Sequence, residues 1–182
     1  MKNVPNILTL IRIFSIPIIV LLILSSSHTN NVFAFFLFIG VSLTDYLDGA
    51  VARKMNLVSD FGKMLDPIAD KLLIVCTIIT LIIKGNIEGY SLIPAFIIIS
   101  REIFISGLRE FNASKKNGAQ INVSFLGKMK TSIQMISLIL LILSLLTANY
   151  QIYLLNSGLF TLWVAMIFTV ISGYQYYKKV YN

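Results

Sequence analysis

The residues able to do chemistry are concentrated between Asp45 and Asp70, in DYLDGAVARKMNLVSDFGKMLDPIAD, which holds five of the eight acidic residues in a 182-residue chain. Asp45 and Asp48 are three residues apart, and Asp66 and Asp70 are four apart. On a helix either spacing puts both side chains on one face, with Cβ atoms about 5–6 Å from each other. Two such pairs on antiparallel neighbouring helices would bring four carboxylates to one place. Gly49 shares the face of Asp45, Gly62 lies one turn before Asp66, and Ala52 continues the small stripe. Small residues there let a second helix or a ligand come close. Asp60 falls outside this spacing and is assigned to an exposed turn of the connecting loop.

Such a cluster is expensive in apolar surroundings. A carboxylate in a membrane helix costs about 2.5–3.5 kcal/mol at mid-depth, so four cost on the order of 10 kcal/mol before their mutual repulsion. Arg53 and nearby lysines offset part of this. A solvated loop whose aspartates merely pair with bases has no need of the helical spacing. Divalent cations relieve the repulsion directly. Oxygen-only ligands select hard ions, Mg²⁺ or Mn²⁺. Two ions about 3.5–4 Å apart form a clamp suited to phosphoryl transfer.

The elements that must position these groups are apolar helices. The chain is 57% hydrophobic and only 13% charged, with a mean hydropathy of +0.83. Six apolar runs, roughly 8–25, 32–52, 64–84, 90–109, 126–147 and 152–174, are each long enough to cross a hydrocarbon core of about 30 Å. The expected fold is therefore all-α: a polytopic membrane protein of six transmembrane helices, one domain over residues 1–182, with a cytoplasm-facing metal site. Spacers such as SSSHTNN, KGNIEG and TANYQ separate the runs, which places the single histidine, His28, in an outer loop. Lys2, Arg12 and the serines after the first run have the form of a secretory signal. Five further spans follow, however, so the first helix is expected to be retained. Pro17 and Pro94 fall inside spans, where kinks are tolerated. Cys76 is alone, cannot form an intrachain disulfide and is read as packing.

A net charge of +7 raises nucleic-acid binding as a possibility, but the placement of the charges argues against it. With both termini inside, Lys84 alone of the fifteen lysines and arginines lies on the outer side. This is a positive-inside pattern, and the basic excess meets anionic headgroups. The expected location is the plasma membrane, multi-pass, with both termini and the active site cytoplasmic.

The pattern D-x2-D-G-x2-A-R-x8-G-x3-D-x3-D over residues 45–70 resembles the signature of the CDP-alcohol phosphatidyltransferase family at every defined position. The six-helix layout agrees over nearly the whole chain. The resemblance implies that Asp45, Asp48 and Asp66 hold two metal ions and that Asp70 is both ligand and general base. It also implies that Gly49, Ala52, Arg53 and Gly62 line the site for CDP-diacylglycerol, and that the assembly is a homodimer, for which the faces of helices three and four are available.

Three stretches, PNILTLIR, SREIFISGLRE and GKMKTSIQM, resemble segments of family members whose acceptor is sn-glycerol 3-phosphate. On that resemblance Asn6 approaches the donor and Thr9 the acceptor, although PNILT also reads as a plain helix start. An acceptor with its own phosphate needs cations beyond the metals. Arg109, Lys128 and Lys130 at the cytoplasmic mouth are assigned to it. Arg101, eight residues before Arg109 and beside Glu102, stands between phosphate binding and structural pairing. Arg12 is either a site residue or a topological charge, and Lys115 and Lys116 are placed in the loop against lipid headgroups. Other acceptors for the same chemistry are serine, inositol phosphate or phosphatidylglycerol. A divalent-cation transporter is the alternative of another class, but no carboxylate continues across helices five and six.

Overall fold

The computed structural model describes residues 4–25, 27–55, 60–114 and 125–181, with the backbone alone at 4–8, 45–55, 60–64, 66, 113–114, 125 and 181. Six helices make up the described chain: α1 (Val4–Leu24), α2 (His28–Met55), α3 (Asp60–Ile83), α4 (Leu92–Ser114), α5 (Phe125–Leu143) and α6 (Gln151–Tyr181), with a 3-10 turn at Gly89–Ser91 before α4. No strand occurs among the described residues.

Several expected boundaries move, for local reasons. Helix α2 begins at His28 and takes up most of the expected outer loop, since polar residues are harmless in a first turn whose N–H groups have no intrahelical partner. Asp60 likewise opens α3 instead of lying in a turn, where its negative charge suits the positive end of the helix dipole. Pro94 sits in the first turn of α4, so its missing N–H removes no helical bond and no kink is required. Helix α5 stops at Leu143, short of the expected end at 147. Pro17 does lie inside α1.

The helices pack as two groups of three. In the first, α1 lies against both α2 and α3, and direct α2–α3 packing is slight among the described residues. In the second group α6 packs along α5 and α4. Ser137 Oγ donates to the Gly158 carbonyl at 2.8 Å. A Cβ at Gly158 would stand 2.8 Å from Leu141 Cδ2, so only glycine permits this approach.

Burial follows the helical period. Thr9, Arg12, Ile16, Ile19 and Ile23 form the buried stripe of α1, and Ala95, Ile98, Glu102, Ile105 and Leu108 that of α4. The outward faces carry Phe14, Leu21, Phe33, Phe36, Phe96, Ile103 and Phe160. The interior includes Asn31, Glu102, Lys130, Gln134 and Thr169. Greasy outside and partly polar inside is the arrangement of a protein solvated by lipid, because exposed apolar area on this scale is unfavourable in water. Three helical segments, Gly89–Asn112, Leu126–Leu143 and Gln151–Val180, are long and apolar enough to cross a membrane, and Thr9–Leu24 and His28–Thr44 are shorter apolar helices.

At one end of the first group the chain turns sharply after α3. Gly85 adopts φ +81°, and its N–H donates to the Ile82 carbonyl at 3.0 Å. Lys84 Nζ reaches across to the Ser25 carbonyl just past α1, at 3.1 Å. A cation there satisfies a carbonyl at the negative end of the helix dipole.

Candidate active site

Fourteen residues before Lys84 on α3, about 21 Å at 1.5 Å per residue, lies the last carboxylate of the motif. Asp70 Oδ1 accepts a hydrogen bond from Arg12 Nη1 at 2.7 Å. Arg12 is almost fully buried, whereas the Asp70 side chain is 40% exposed. The guanidinium therefore approaches from the protein side, and the carboxylate looks outward into a cavity of about 280 Å³.

That cavity lies where α3, α4 and α5 diverge. Pro67, Asp70 and Lys71 line it from α3, Arg101, Glu102 and Arg109 from α4, and Gly127, Lys130 and Thr131 from α5. Four cations and two anions thus surround one small volume. On α4, Arg101 and Arg109 are separated by about two turns and share a face, so both reach it. The Arg109 guanidinium carbon stands 5.4 Å from the centroid of the Tyr176 ring on α6, a cation–π contact that fixes an otherwise exposed arginine.

Glu102 is the hub of the cationic wall. Its Oε1 accepts from Lys130 Nζ and lies 3.6 Å from Arg101 Nη1. Arg101 Nη2 in turn donates to Ser172 Oγ on α6 at 3.1 Å, and Ser172 Oγ donates to the Thr169 carbonyl at 3.1 Å. One turn beyond Lys130, Gln134 Nε2 donates to Thr169 Oγ1 at 3.0 Å. These contacts tie three helices together around the bases of Arg101 and Lys130. Gly173 makes room for Arg101, since a Cβ there would stand 3.2 Å from its Nε.

Of the residues expected at the site, the structure brings Asp70, Arg109 and Lys130 to one cavity. Thr9 is buried on α1, one turn before Arg12, and does not line the cavity. Lys128 is exposed and is absent from the lining. Two residues from Lys130, it points about 200° away around the helix. Asp45, Asp48, Gly49, Ala52 and Arg53 lie in α2, Gly62 and Asp66 in α3, and Asn6 in α1, with their side chains outside the described residues. Lys115 and Lys116 lie outside them altogether. Arg101 is structurally paired with Glu102 and Ser172 and also lines the cavity. Arg12 pairs with Asp70. Sequence reasoning passed over Lys71 and the role of Glu102. The available signal was a charge inside an apolar helix, which marks function by default.

The carboxylate donor set fits a divalent ion on its chemistry. The backbone is helical through both aspartate pairs, so each pair keeps the spacing that shares a face. Asp70 already engages one cation through Oδ1. Carboxylate oxygens without histidine or thiol suit a hard divalent ion. No group of three potential ligands occurs among the described side chains, which include only Asp70 of the four.

Comparison with known proteins gives the same direction. The model of the family "CDP-alcohol phosphatidyltransferase" matches residues 2–171. A protein of Rickettsia bellii is 46% identical over 177 residues, covering 97% of this chain and 94% of its own. One of Bacillus subtilis is 38% identical over 194 aligned residues, covering 98% and 95%. Both bear the name CDP-diacylglycerol–glycerol-3-phosphate 3-phosphatidyltransferase. On the extent of these matches, and with the motif set on two of its six helices, the chain belongs to the CDP-alcohol phosphatidyltransferase family.

Proposed function

We propose that this protein transfers the phosphatidyl group of CDP-diacylglycerol to sn-glycerol 3-phosphate, giving phosphatidylglycerophosphate and CMP. The observation that carries the reading is the cavity in which Asp70 faces Arg101, Arg109 and Lys130. An alcohol bearing a phosphate monoester needs a base near its hydroxyl and fixed cations near its phosphate, and the two walls offer that pair. Relatives over nearly the full chain carry the corresponding name.

In this reading the acceptor's phosphate sits against Arg109, Lys130 and Arg101, and its hydroxyl is turned towards Asp70. The carboxylate takes the hydroxyl proton as the oxygen bonds to the phosphorus attached to diacylglycerol. The bond from that phosphorus to CMP breaks, and CMP leaves with the electron pair. Arg12 holds Asp70 in orientation from behind. Positioning of this kind supplies most of the catalysis in phosphoryl transfer. Asp45, Asp48, Asp66 and Asp70 would hold two Mg²⁺ or Mn²⁺ ions, which when bound neutralise the pyrophosphate and stabilise the leaving CMP. Gly49, Ala52, Arg53, Gly62 and Asn6 are assigned to the donor. Lys128, exposed and off the cavity lining, is given no part in acceptor binding, while Thr9, one turn from Arg12, keeps its assignment to the acceptor.

We further propose one domain of six spans in the plasma membrane, with termini and site on the cytoplasmic side. Lys84 stands near the Ser25 end of α1, far along α3 from Asp70, which supports the charge-based topology. A homodimer through the outer faces of α3 and α4 is supported by their exposed Ile68, Leu72, Ile79, Ile103 and Phe104. The test is an acceptor competition. Detergent-solubilised protein with CDP-diacylglycerol and Mg²⁺ is expected to release CMP with glycerol 3-phosphate and not with serine, inositol phosphate or phosphatidylglycerol. Release with serine alone would overturn the acceptor assignment.

A further inference from the structure

The phosphate-facing wall contains a carboxylate, which is not what a phosphate site requires. Glu102 is 5% exposed and lies in the cavity lining between Arg101 and Lys130. It cannot attract the acceptor's phosphate, and alone it would repel it. A buried carboxylate is also costly unless paired, so its presence among the cations calls for a reason.

Geometry supplies one. A single oxygen, Oε1, takes both Lys130 Nζ and Arg101 Nη1. Lys130 comes from α5 and Arg101 from α4, and both are long side chains with large rotamer freedom when unpaired. Held on one carboxylate oxygen, their charged ends are brought together at one edge of the cavity. The trio carries one net positive charge and is largely buried, a setting that favours an anion. Lys130 keeps two further N–H donors beyond the one given to Glu102. The other attachments of Arg101, to Ser172 and under Gly173, hold its stem and leave Glu102 as its charged partner among the described residues.

We propose that Glu102 is a positioning residue that sets acceptor recognition: it clamps Lys130 and Arg101 side by side, so that the cavity takes a phosphate monoester. It touches neither the reacting phosphorus nor the hydroxyl, and acts through the two cations. The inference rests on reading the cavity as the acceptor's phosphate site, and it makes that site depend on a negative charge.

The experiment uses the full-length detergent-solubilised protein and the variants Glu102→Gln and Glu102→Asp. CMP release is measured against glycerol 3-phosphate concentration, and thermal unfolding is followed with and without inorganic phosphate. Glu102→Gln is expected to raise the acceptor KM by about tenfold or more, as loss of a charged hydrogen bond does, with kcat changed by less than about threefold. Glu102→Asp keeps the charge and is expected to fall between it and wild type. Phosphate is expected to raise the unfolding temperature of wild type and to do so far less for Glu102→Gln. An unchanged acceptor KM in both variants, or a fall in kcat and yield alone, overturns the proposal, because a purely structural carboxylate would give that result. If Glu102→Gln does not fold, the KM of Glu102→Asp decides. If wild type releases no CMP with glycerol 3-phosphate, the functional reading fails, while the phosphate-dependent unfolding still decides the role of Glu102.

Discussion

The two helix groups handle charge in opposite ways. Around α1 and α3, one arginine lies directly on one aspartate, with apolar packing beyond it at Ile16, Ile19, Leu73 and Ile74. Around α4, α5 and α6, the cations are tied into a chain of polar contacts running from Lys130 through Glu102 and Arg101 to Ser172. In a linked network each member fixes the next, so disrupting one is felt by the others. The cationic wall is thus built into the scaffold before any ligand arrives. The carboxylate wall can exchange its partners when a more strongly charged cation enters. Under the proposed function this gives a division of labour: donor chemistry on the first group, acceptor recognition on the second.

Substitutions can break that division at graded strengths. Asp70→Asn is expected to cost on the order of 10²–10⁴-fold in CMP release, the range for a lost general base, with binding of CDP-diacylglycerol largely kept. Unimpaired turnover would remove Asp70 from the mechanism, and a metal-occupancy measurement on the same variant separates lost base from lost ligand. Lys130→Met should raise the acceptor KM by on the order of ten- to a hundredfold and leave the donor KM nearly alone. Equal increases in both constants would show that the two walls are not separate.

Milder changes sharpen the same picture. Gly158→Ala forces a Cβ to within 2.8 Å of Leu141 and should cost about 1–3 kcal/mol of stability through overpacking, without altering either KM. A shift in acceptor KM there would mean that α5–α6 packing reaches the cavity. Gly173→Ala crowds the Arg101 side chain at 3.2 Å and is expected to raise the acceptor KM only about two- to fivefold, by slight displacement. Lys128→Gln should change little, within about twofold, as exposed charges usually do. A large rise in acceptor KM would return Lys128 to the site.

The carboxylate motif was legible in the sequence because aspartates in an apolar helix are costly enough to stand out, and their spacing survives as helix in α2 and α3. The helices were legible because lipid contact demands long apolar runs. Their ends were not: His28 and Asp60 look like loop residues, yet a first turn accepts polar side chains without loss. The cationic wall was half legible. Arg109 and Lys130 could be named from their place near the ends of apolar runs, but the partner of Lys130 is 28 residues away, on another helix. Linear spacing carries no information about which face of α5 meets which face of α4. For the same reason Lys128 and Lys130 looked equivalent in sequence, although a two-residue step turns them to opposite sides.

The contact between Arg12 and Asp70 joins residues 58 positions apart, and this has a consequence for biogenesis. During synthesis α1 emerges before α3, so its arginine meets Asp70 only once α3 has been made. A guanidinium short of partners is held near the hydrated headgroups, since burying it alone in lipid is costly. On the proposed six-span topology, the Arg12–Asp70 contact forms only after the third helix has entered the bilayer. A ribosome-bound chain stalled before Asp70 should leave α1 shallow and open to proteases at its cytoplasmic end, while one stalled beyond α3 should protect it.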